Sequence, residues 1–147
     1  MIMLRVDGEP APQGSKNVGR YGGIYEKSKK VGPWRDAIKA AAAMATWEPV
    51  TGPVVVGIVF WLRRPASHYR AGRNCHLLRA SAPAVPVTRP DIDKLLRSTL
   101  DGLTGAGIYA DDGQVSGLDV HRRYADPHAG QKPGADITIW EWKEADL

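Results

Sequence analysis

The 147-residue sequence predicts a mixed α/β fold, in which a sheet of about four strands packs with two main helices. Three observations lead to this prediction. The length suits a single hydrophobic core. Two segments have the composition and apolar spacing of helices, and four others are β-branched or alternate between apolar and polar residues. The predicted order is strand, helix, strand, helix, strand, strand, in a single domain over residues 1–147.

The first half of the chain supplies a strand, a helix and a second strand. Residues 2–8 alternate as a strand, and residues 33–47 start with a favoured first-turn proline and continue with strong helix formers. Residues 53–62, "PVVVGIVFWL", are typical of a central strand that is buried on both faces. Between the first strand and the first helix we expect a long basic loop.

The second half begins with residues 63–90, which show no convincing period and predict a long loop of the kind that is usually functional or mobile. Residues 91–107 predict the second helix, and residues 115–125 and 135–142 alternate as two further strands. The apolar face of this helix is expected to contain Ile92, Leu95, Leu96, Thr99, Leu100 and Leu103.

Positive charge is segregated along the chain. The formal net charge is only +4, but no acidic residue lies between Glu48 and Asp91, whereas that stretch carries several arginines. Segregated basic charge favours a polyanionic partner. The candidate DNA-binding residues are Lys16, Arg20, Lys27, Lys29, Lys30, Arg63, Arg64, Arg89 and Lys94.

Cys75 is the only cysteine, so an intramolecular disulfide is impossible. The sequence around it also lacks the paired spacing of a zinc site. The N-terminus has no signal-peptide pattern, and no apolar run is long enough to span a bilayer. We therefore expect a soluble cytoplasmic protein with no membrane partner.

Four aspartates fall in two tight clusters, "PDID" at 90–93 and "YADDG" at 109–113. Taken singly, Asp91 fits a helix N-cap and Asp112 fits a turn. Clustered carboxylates repel one another unless a cation is present, and Mg²⁺ prefers carboxylate oxygens while it keeps several waters. With basic flanks, this pattern suits attack of a metal-activated water on a phosphodiester. The residues therefore predict a nuclease.

Residues 89–115, "RPDIDKLLRSTLDGLTGAGIYADDGQV", resemble the signature of RusA-family Holliday-junction resolvases, in which D-x-D opens a helix and a D-D pair follows. A weaker similarity extends to "YEKSKKVGPWRDAI" and "ADITIWEW" but leaves out residues 63–88. The resemblance implies a small mixed α/β fold and a homodimer, in a bacterial cell or encoded by a phage. It also implies Mg²⁺- or Mn²⁺-dependent cleavage of four-way DNA junctions by paired symmetric nicks.

The resemblance implies a metal site on Asp91, Asp93 and Asp112, with Asp111 as a fourth, supporting carboxylate. The sequence departs from the family pattern at three positions near this site. Lys94 stands where the family commonly has Asn, Arg97 where a catalytic Lys is expected, and Pro90 where a basic residue is expected, with Arg89 one position earlier.

Arg97 lies one helical turn after Asp93, so its guanidinium is expected to reach the scissile phosphate, while Lys94 also faces phosphate. An Arg is always protonated, so the role we expect for Arg97 is electrostatic. The alternative is a ladder of Asp93, Arg97 and Asp101 that only steadies the helix.

Two other functions fit parts of the sequence. "YADD" is also similar to a polymerase palm motif, but 147 residues cannot supply the fingers and thumb that surround a template. A non-catalytic DNA-binding module with structural aspartates uses the same basic loops. Convergence of Asp91, Asp93 and Asp112 would separate the enzyme from this module, because carboxylates repel DNA phosphates unless a metal intervenes.

Overall fold

The computed structural model describes residues 1–14, 16–18, 24–26 and 29–146. The main strands and helices follow the predicted order. They are β1 (Ile2–Asp7), β2 (Lys16–Val18), β3 (Ile24–Glu26), α1 (Val31–Met44), β4 (Val54–Arg63), α2 (Ile92–Gly105), β5 (Val115–Ala125) and β6 (Gly134–Glu141).

The sheet has four strands in the order β1, β6, β4, β5. β6 pairs antiparallel with both β1 and β4, whereas β4 and β5 are parallel. The chain leaves the end of β4, returns through α2 and enters β5, which is the crossover that a parallel pair requires. The N-terminus of α2 consequently lies near the carboxyl end of β4, where open α/β sheets usually bind ligands.

The two helices pack on each other and on one face of the sheet. At their contact, the buried Trp34 indole donates a hydrogen bond to Thr99 at 3.1 Å. The core between the layers includes Val56, Ile58 and Phe60 of β4, each at most 1% exposed. This core fixes α2 against the sheet and with it the position of Asp91.

The structure corrects the expectation that the central strand is buried on both faces. β4 is central, since it lies between β6 and β5. The helix-side residues of β4 are buried, but Gly57, Val59 and Trp61 on its other face are only half-buried. The helices cover one face of the sheet, which explains the difference.

Two further features differ from the sequence expectations. Part of the predicted N-terminal loop forms the short antiparallel pair β2 and β3. The buried stripe of α2 consists of Leu95, Ser98, Thr99, Gly102 and Leu103. Ile92 is 37% exposed, and Leu96 and Leu100 are partly buried, because the small Ser98 and Gly102 face the core instead. None of the helices in the described ranges is long and apolar enough to cross a membrane.

Candidate active site

A cleft of about 760 Å³ lies where the end of β4, the loop after β1 and the start of α2 meet. Its lining joins residues that are far apart in the sequence. They are Glu9, Pro10, Pro12, Gln13, Gly14, Lys30, Leu62, Arg63, Arg89, Pro90, Asp91 and Lys94. Four of the nine candidate DNA-binding residues therefore lie around Asp91 in one concave surface.

Asp91 occupies the N-cap position of α2, and its side chain makes no capping hydrogen bond. Asp93 follows in the first turn of the helix, and both residues are exposed. The helix dipole favours negative charge at this end. Because capping does not occupy the Asp91 carboxylate, it is available to a ligand in the cleft.

Arg122 fixes the segment that leads into Asp91. From β5, its guanidinium donates to the backbone carbonyls of Pro86 at 3.1 Å, Thr88 at 2.8 Å and Pro90 at 3.0 Å. Three bonds from one planar group hold an otherwise irregular stretch of chain. The sheet thereby positions the residue immediately before Asp91.

The N-terminal wall of the cleft is tied to both helices. The buried Gln13 donates to Asp101 at 2.7 Å and accepts a hydrogen bond from Arg35, which also pairs with Asp101 at 3.2 Å. In addition, the Gln13 backbone N–H donates to the carbonyl of Lys94 at 3.0 Å. This network keeps the loop after β1 against α2.

Glu9 holds two of the cleft's cations in place. Arg63 donates to the Glu9 carboxylate at 2.8 Å, and Lys30 lies 3.8 Å from it. The hydrogen bond from Arg63 keeps the pKa of Glu9 below its ordinary value. All three side chains are substantially exposed, so DNA phosphates can compete for these cations.

The other candidate DNA-binding residues have different positions. Lys29 is exposed beside Lys30. The Arg64 guanidinium is engaged within the protein. It donates a hydrogen bond to the Pro83 carbonyl at 2.7 Å and lies 4.2 Å from the centre of the Tyr124 ring. Arg20 and Lys27 are outside the described residues, and Lys16 lies on β2 in a part where side chains are not described.

Arg97 lies beside the mouth of the cleft. A methyl group on Gly14 would come within 3.1 Å of a guanidinium nitrogen of Arg97 and within 3.4 Å of Lys94. In the described part of the chain, Arg97 makes no ion pair with Asp93, and Asp101 pairs with Arg35 instead. The predicted ladder of Asp93, Arg97 and Asp101 is therefore not formed.

Asp112 lies at the opposite end of α2. Its carboxylate accepts a hydrogen bond from Thr104 in the last turn of that helix. At about 1.5 Å of rise per residue, Asp93 and Thr104 are about 16 Å apart along the helix axis. One chain therefore does not bring Asp112 to Asp91 and Asp93.

The acidic turn, residues 111–113, is anchored to the segment just before β4. The Gln114 amide accepts from the backbone of Ala110 at 2.7 Å and donates to the carbonyls of Val50 and Gly52. The Asp111 side chain lies close to Gly113 in this turn: a Cβ atom added to Gly113 would be 3.2 Å from the Asp111 carboxylate. Tyr109 of the "YADD" motif is buried in the core, and burial raises the pKa of its hydroxyl.

A single chain satisfies only part of the metal site that the resemblance implies. Mg²⁺ binds its oxygen ligands at about 2.1 Å, so two ligands of one ion lie within about 4 Å of each other. Within the residues that the structure describes, no three His, Cys, Asp or Glu side chains are grouped to hold a metal. Asp91 lines the cleft, and Asp93 lies two residues later in the first turn of α2. A magnesium ion that also binds phosphate and water needs only one or two protein carboxylates.

Three residues of this site were missed at the sequence level: Glu9, Gln13 and Arg122. Glu9 and Gln13 lie about 80 residues before Asp91, and only the packing of the N-terminal loop on α2 brings them there. Arg122 lies on a strand whose alternation was recognised. The available signal was its place in that alternation, in line with Val120 and Tyr124; its pairing with the core residue Phe60 is visible only in the structure.

Comparison with protein families matches residues 7–140 to the model described as Endodeoxyribonuclease RusA. A comparison with curated proteins found no match. The matched range covers nearly the whole chain and contains both aspartate clusters and the lining of the cleft. Because an endodeoxyribonuclease is an enzyme, the match favours the nuclease over the non-catalytic DNA-binding module. The chain belongs to the RusA family of endodeoxyribonucleases, which implies Holliday-junction-resolving activity.

Proposed function

We propose that this protein is a Mg²⁺- or Mn²⁺-dependent endonuclease that resolves four-way DNA junctions by paired symmetric nicks. The cleft at the start of α2 carries this proposal. It combines the Asp91 carboxylate, which makes no capping hydrogen bond, with four basic side chains. Positively charged groups bind the DNA backbone without regard to sequence. A junction is recognised by its shape, so this kind of binding suits the substrate.

The basic residues of the cleft have distinct tasks in this proposal. Arg63 and Lys30 exchange their contacts with Glu9 for contacts with phosphates, while Arg89 and Lys94 bind the strand on either side of Asp91. Arg97 approaches from the Gly14 side and stabilises the charge that develops on the phosphate.

Asp91 and Asp93 are the proposed metal ligands of this chain's cleft. A divalent metal held there would supply an activated water and would neutralise charge on the phosphate. Arg122 and the Gln13 network keep these carboxylates in place relative to the basic residues. Removal of divalent metal by EDTA should therefore stop cleavage, and added Mg²⁺ should restore it.

A homodimer follows from the symmetry of the reaction. A four-way junction requires two matching nicks, and one active site makes only one of them. A two-fold dimer presents two identical sites in the required relation. We place this activity in the cytoplasm of a bacterial cell, whether the protein is encoded by the bacterium or by a phage, in recombination and repair of DNA.

The test is incubation of the protein with labelled four-way junction, replication fork and linear duplex, with and without Mg²⁺. The expected result is Mg²⁺-dependent, paired cleavage of the four-way junction and no cleavage of duplex. Asp36→Asn is a suitable control, since Asp36 is an exposed aspartate on α1 away from the cleft lining. Junction binding without cleavage in Mg²⁺ and Mn²⁺ would contradict the proposal.

A further inference from the structure

The long segment between β4 and α2, residues 65–88, has no task in the chemistry of the cleft. It contains three arginines, Arg70, Arg73 and Arg79, and no acidic residue. All three arginine side chains are exposed. The segment therefore presents positive charge to the solvent with no compensating carboxylate of its own.

The arginines of this segment differ from others in the protein in having no acidic partner. Arg5 pairs with Asp7 at 3.0 Å, and Arg35 pairs with Asp101 at 3.2 Å. In the ranges that the structure describes, no carboxylate pairs with any of the three arginines of residues 65–88. An exposed cation without an intramolecular anion can bind an external one at no cost in broken ion pairs.

The three arginines belong to a small antiparallel hairpin, residues 68–79, which we call the arginine hairpin. The backbone N–H of Arg70 donates to the carbonyl of Leu77 at 2.8 Å, and that of Arg79 donates to the carbonyl of His68 at 2.8 Å. Arg73 lies in the turn, within the 3₁₀ helix Gly72–Asn74. The backbone thereby fixes the spacing of the three positive charges.

Two of the guanidinium groups are also held in place. The Nε atom of Arg70 donates to the Leu78 carbonyl at 3.2 Å, and that of Arg79 donates to the Tyr69 carbonyl at 2.8 Å. Each group thus uses one nitrogen for the hairpin and keeps its two terminal nitrogens for a ligand. A guanidinium that is already ordered loses less entropy when it binds a phosphate.

Ring contacts attach the arginine hairpin to the body of the protein. The Tyr69 ring lies 5.7 Å from that of His128, which in turn lies 6.2 Å from that of His76, both edge to face. His68 makes a similar contact with Tyr124 of β5 at 5.4 Å. The hairpin therefore has a defined position against the end of β5 and the turn that follows it.

That position continues the basic surface of the cleft. The hairpin is inserted between Arg63 and Arg89, and both of these residues line the cleft. A groove of about 300 Å³ between Tyr69 and Pro127 also has Arg63 in its lining. Positive charge consequently runs from the cleft, past Arg63, to the hairpin.

We propose that the arginine hairpin is a second DNA-binding site, which binds the phosphate backbone of a duplex arm at a distance from the branch point. This inference rests on the proposed function, because the arm belongs to the DNA that the cleft is proposed to cleave. Duplex DNA carries a charge about every 1.7 Å along its axis, so an arm that passes the hairpin offers phosphates wherever it lies. Base stacking is not needed, since Tyr69 already packs on His128.

The dependence of affinity on arm length tests this site. Four-way junctions with one branch sequence are prepared with arms shortened stepwise from about two turns of duplex to less than one turn, at about 10 base pairs per turn. Fluorescence anisotropy in EDTA measures binding without cleavage. Arg73→Glu should weaken binding to the longest arms by about tenfold, and Arg73→Ala by about threefold. Both losses should disappear as the arms become too short to reach the hairpin.

Lys39→Glu is the matched control, because Lys39 is an exposed cation on α1 outside the lining of the cleft. Its effect on binding should be the same at every arm length. If Arg73→Glu binds all junctions as the wild-type protein does, or if its loss does not vary with arm length, the proposal is overturned. Arg73 makes no hydrogen bond or ion pair in the described part of the chain, so its substitution leaves the hairpin intact.

Cys75 allows the position of the hairpin on the DNA to be mapped. It is the chain's only cysteine, it is exposed, and it lies two residues after Arg73. An iron–EDTA reagent attached to this thiol, with ascorbate and peroxide, cleaves DNA close to the hairpin. Asp93→Asn is used so that the active site makes no cuts of its own. We expect cuts within a duplex arm, several base pairs from the branch point.

The control for the mapping carries the reagent at the opposite edge of the sheet. Met3→Cys is combined with Cys75→Ser, because Met3 is 71% exposed on β1. This variant should give no cuts at the positions reached from Cys75. Identical patterns from the two attachment sites, or no cuts from Cys75, would overturn the proposal.

The outcomes separate this inference from the proposed function. If the wild-type protein cleaves junctions but the Arg73 variants bind normally at all arm lengths, the endonuclease stands and the second site is wrong. If the wild-type protein cleaves no junction, yet Arg73→Glu weakens binding only to long arms and Cys75 directs cuts into an arm, the second site stands and the assigned activity is wrong.

Discussion

At the residue scale, the sequence identified the chemically important side chains better than their arrangement. The clusters at 90–93 and 109–113 pointed to Asp91, Asp93 and Asp112. A capping hydrogen bond would have given Asp91 a purely structural role, but its carboxylate makes no such bond. The separation of the clusters follows from the helix predicted over 91–107, because Asp91 precedes that helix, Asp112 follows it, and a helix separates its ends by its full length. The expected convergence of Asp91, Asp93 and Asp112 is therefore not met within one chain, where Asp112 accepts a hydrogen bond from Thr104 in the last turn of α2.

Asp93→Asn should reduce cleavage of a four-way junction by at least about a hundredfold and leave binding unchanged or tighter. The substitution removes a ligating charge and a repulsion toward phosphate. Cleavage assays and gel-shift titrations on the same preparation measure the two effects, with Asp36→Asn as the control. Parallel loss of binding and cleavage would contradict a metal-ligating role for Asp93.

Arg97→Ala should slow cleavage on the order of a hundredfold with little change in thermal stability. Arg97 lies beside Gly14 and Lys94 and, in the described ranges, is not paired with Asp93 or Asp101. Its removal therefore breaks no ion pair on the helix. Arg97→Lys should retain much of the activity, since positive charge is kept. If Arg97→Ala cleaves at the wild-type rate while Lys94→Ala does not, the phosphate-facing charge belongs to Lys94.

At the element scale, the strands and helices were predicted within a few residues, because their apolar periods are strong. β5 was predicted over 115–125, and it spans those residues. The pair β2 and β3 was not predicted, since each strand has only three residues and the flanking glycines and lysines indicate a loop. The buried face of α2 also differs from the predicted one, because Ser98 and Gly102, which were not expected to face the core, do so.

Arg122→Ala should destabilise the protein by about 1–3 kcal/mol, because it leaves three carbonyl groups without their donor. Thermal unfolding should show a decrease in Tm on the order of 5 °C. Cleavage should fall as well, since the segment before Asp91 loses its support. Arg123→Ala is the matched control: Arg123 donates to a neighbouring carbonyl on the exposed side, and its loss should cost less than about 0.5 kcal/mol.

Gly102→Ala tests the contact between the helices. An added Cβ would lie 2.7 Å from the Cδ1 atom and 3.3 Å from the Cβ atom of Ile38 on α1. We expect a net loss of about 1 kcal/mol, because overpacking exceeds the gain in helix propensity. Gly105→Ala should be neutral or stabilising, since its nearest neighbour is the flexible end of Lys39. Denaturant unfolding compares them, and equal free energies of unfolding would show that Ile38 moves aside without cost.

At the scale of the whole molecule, segregated charge was the informative property of the sequence. It pointed to a polyanionic partner, and four of the predicted basic residues line one cleft. Arg64 is different: it packs on Tyr124 and binds a carbonyl, which composition alone cannot distinguish from a DNA contact.

Junction binding should weaken steeply with salt, because each neutralised phosphate releases counterions. Arg89→Ala should reduce the slope of log K against log salt concentration by about 1. Lys39→Ala, on the exposed face of α1, should leave the slope unchanged. Fluorescence anisotropy at several salt concentrations gives the slopes. Equal slopes for wild type and Arg89→Ala would remove Arg89 from the interface.

The ion pairs of Glu9 have a consequence for which anions the cleft admits. Because this carboxylate lies against Arg63 and Lys30, an incoming phosphate has to replace an anion that is already there. A single phosphate ion gains little from that exchange, whereas a DNA backbone brings several phosphates at once and releases several counterions. The cleft should therefore stay largely indifferent to free phosphate while it binds a polyanion.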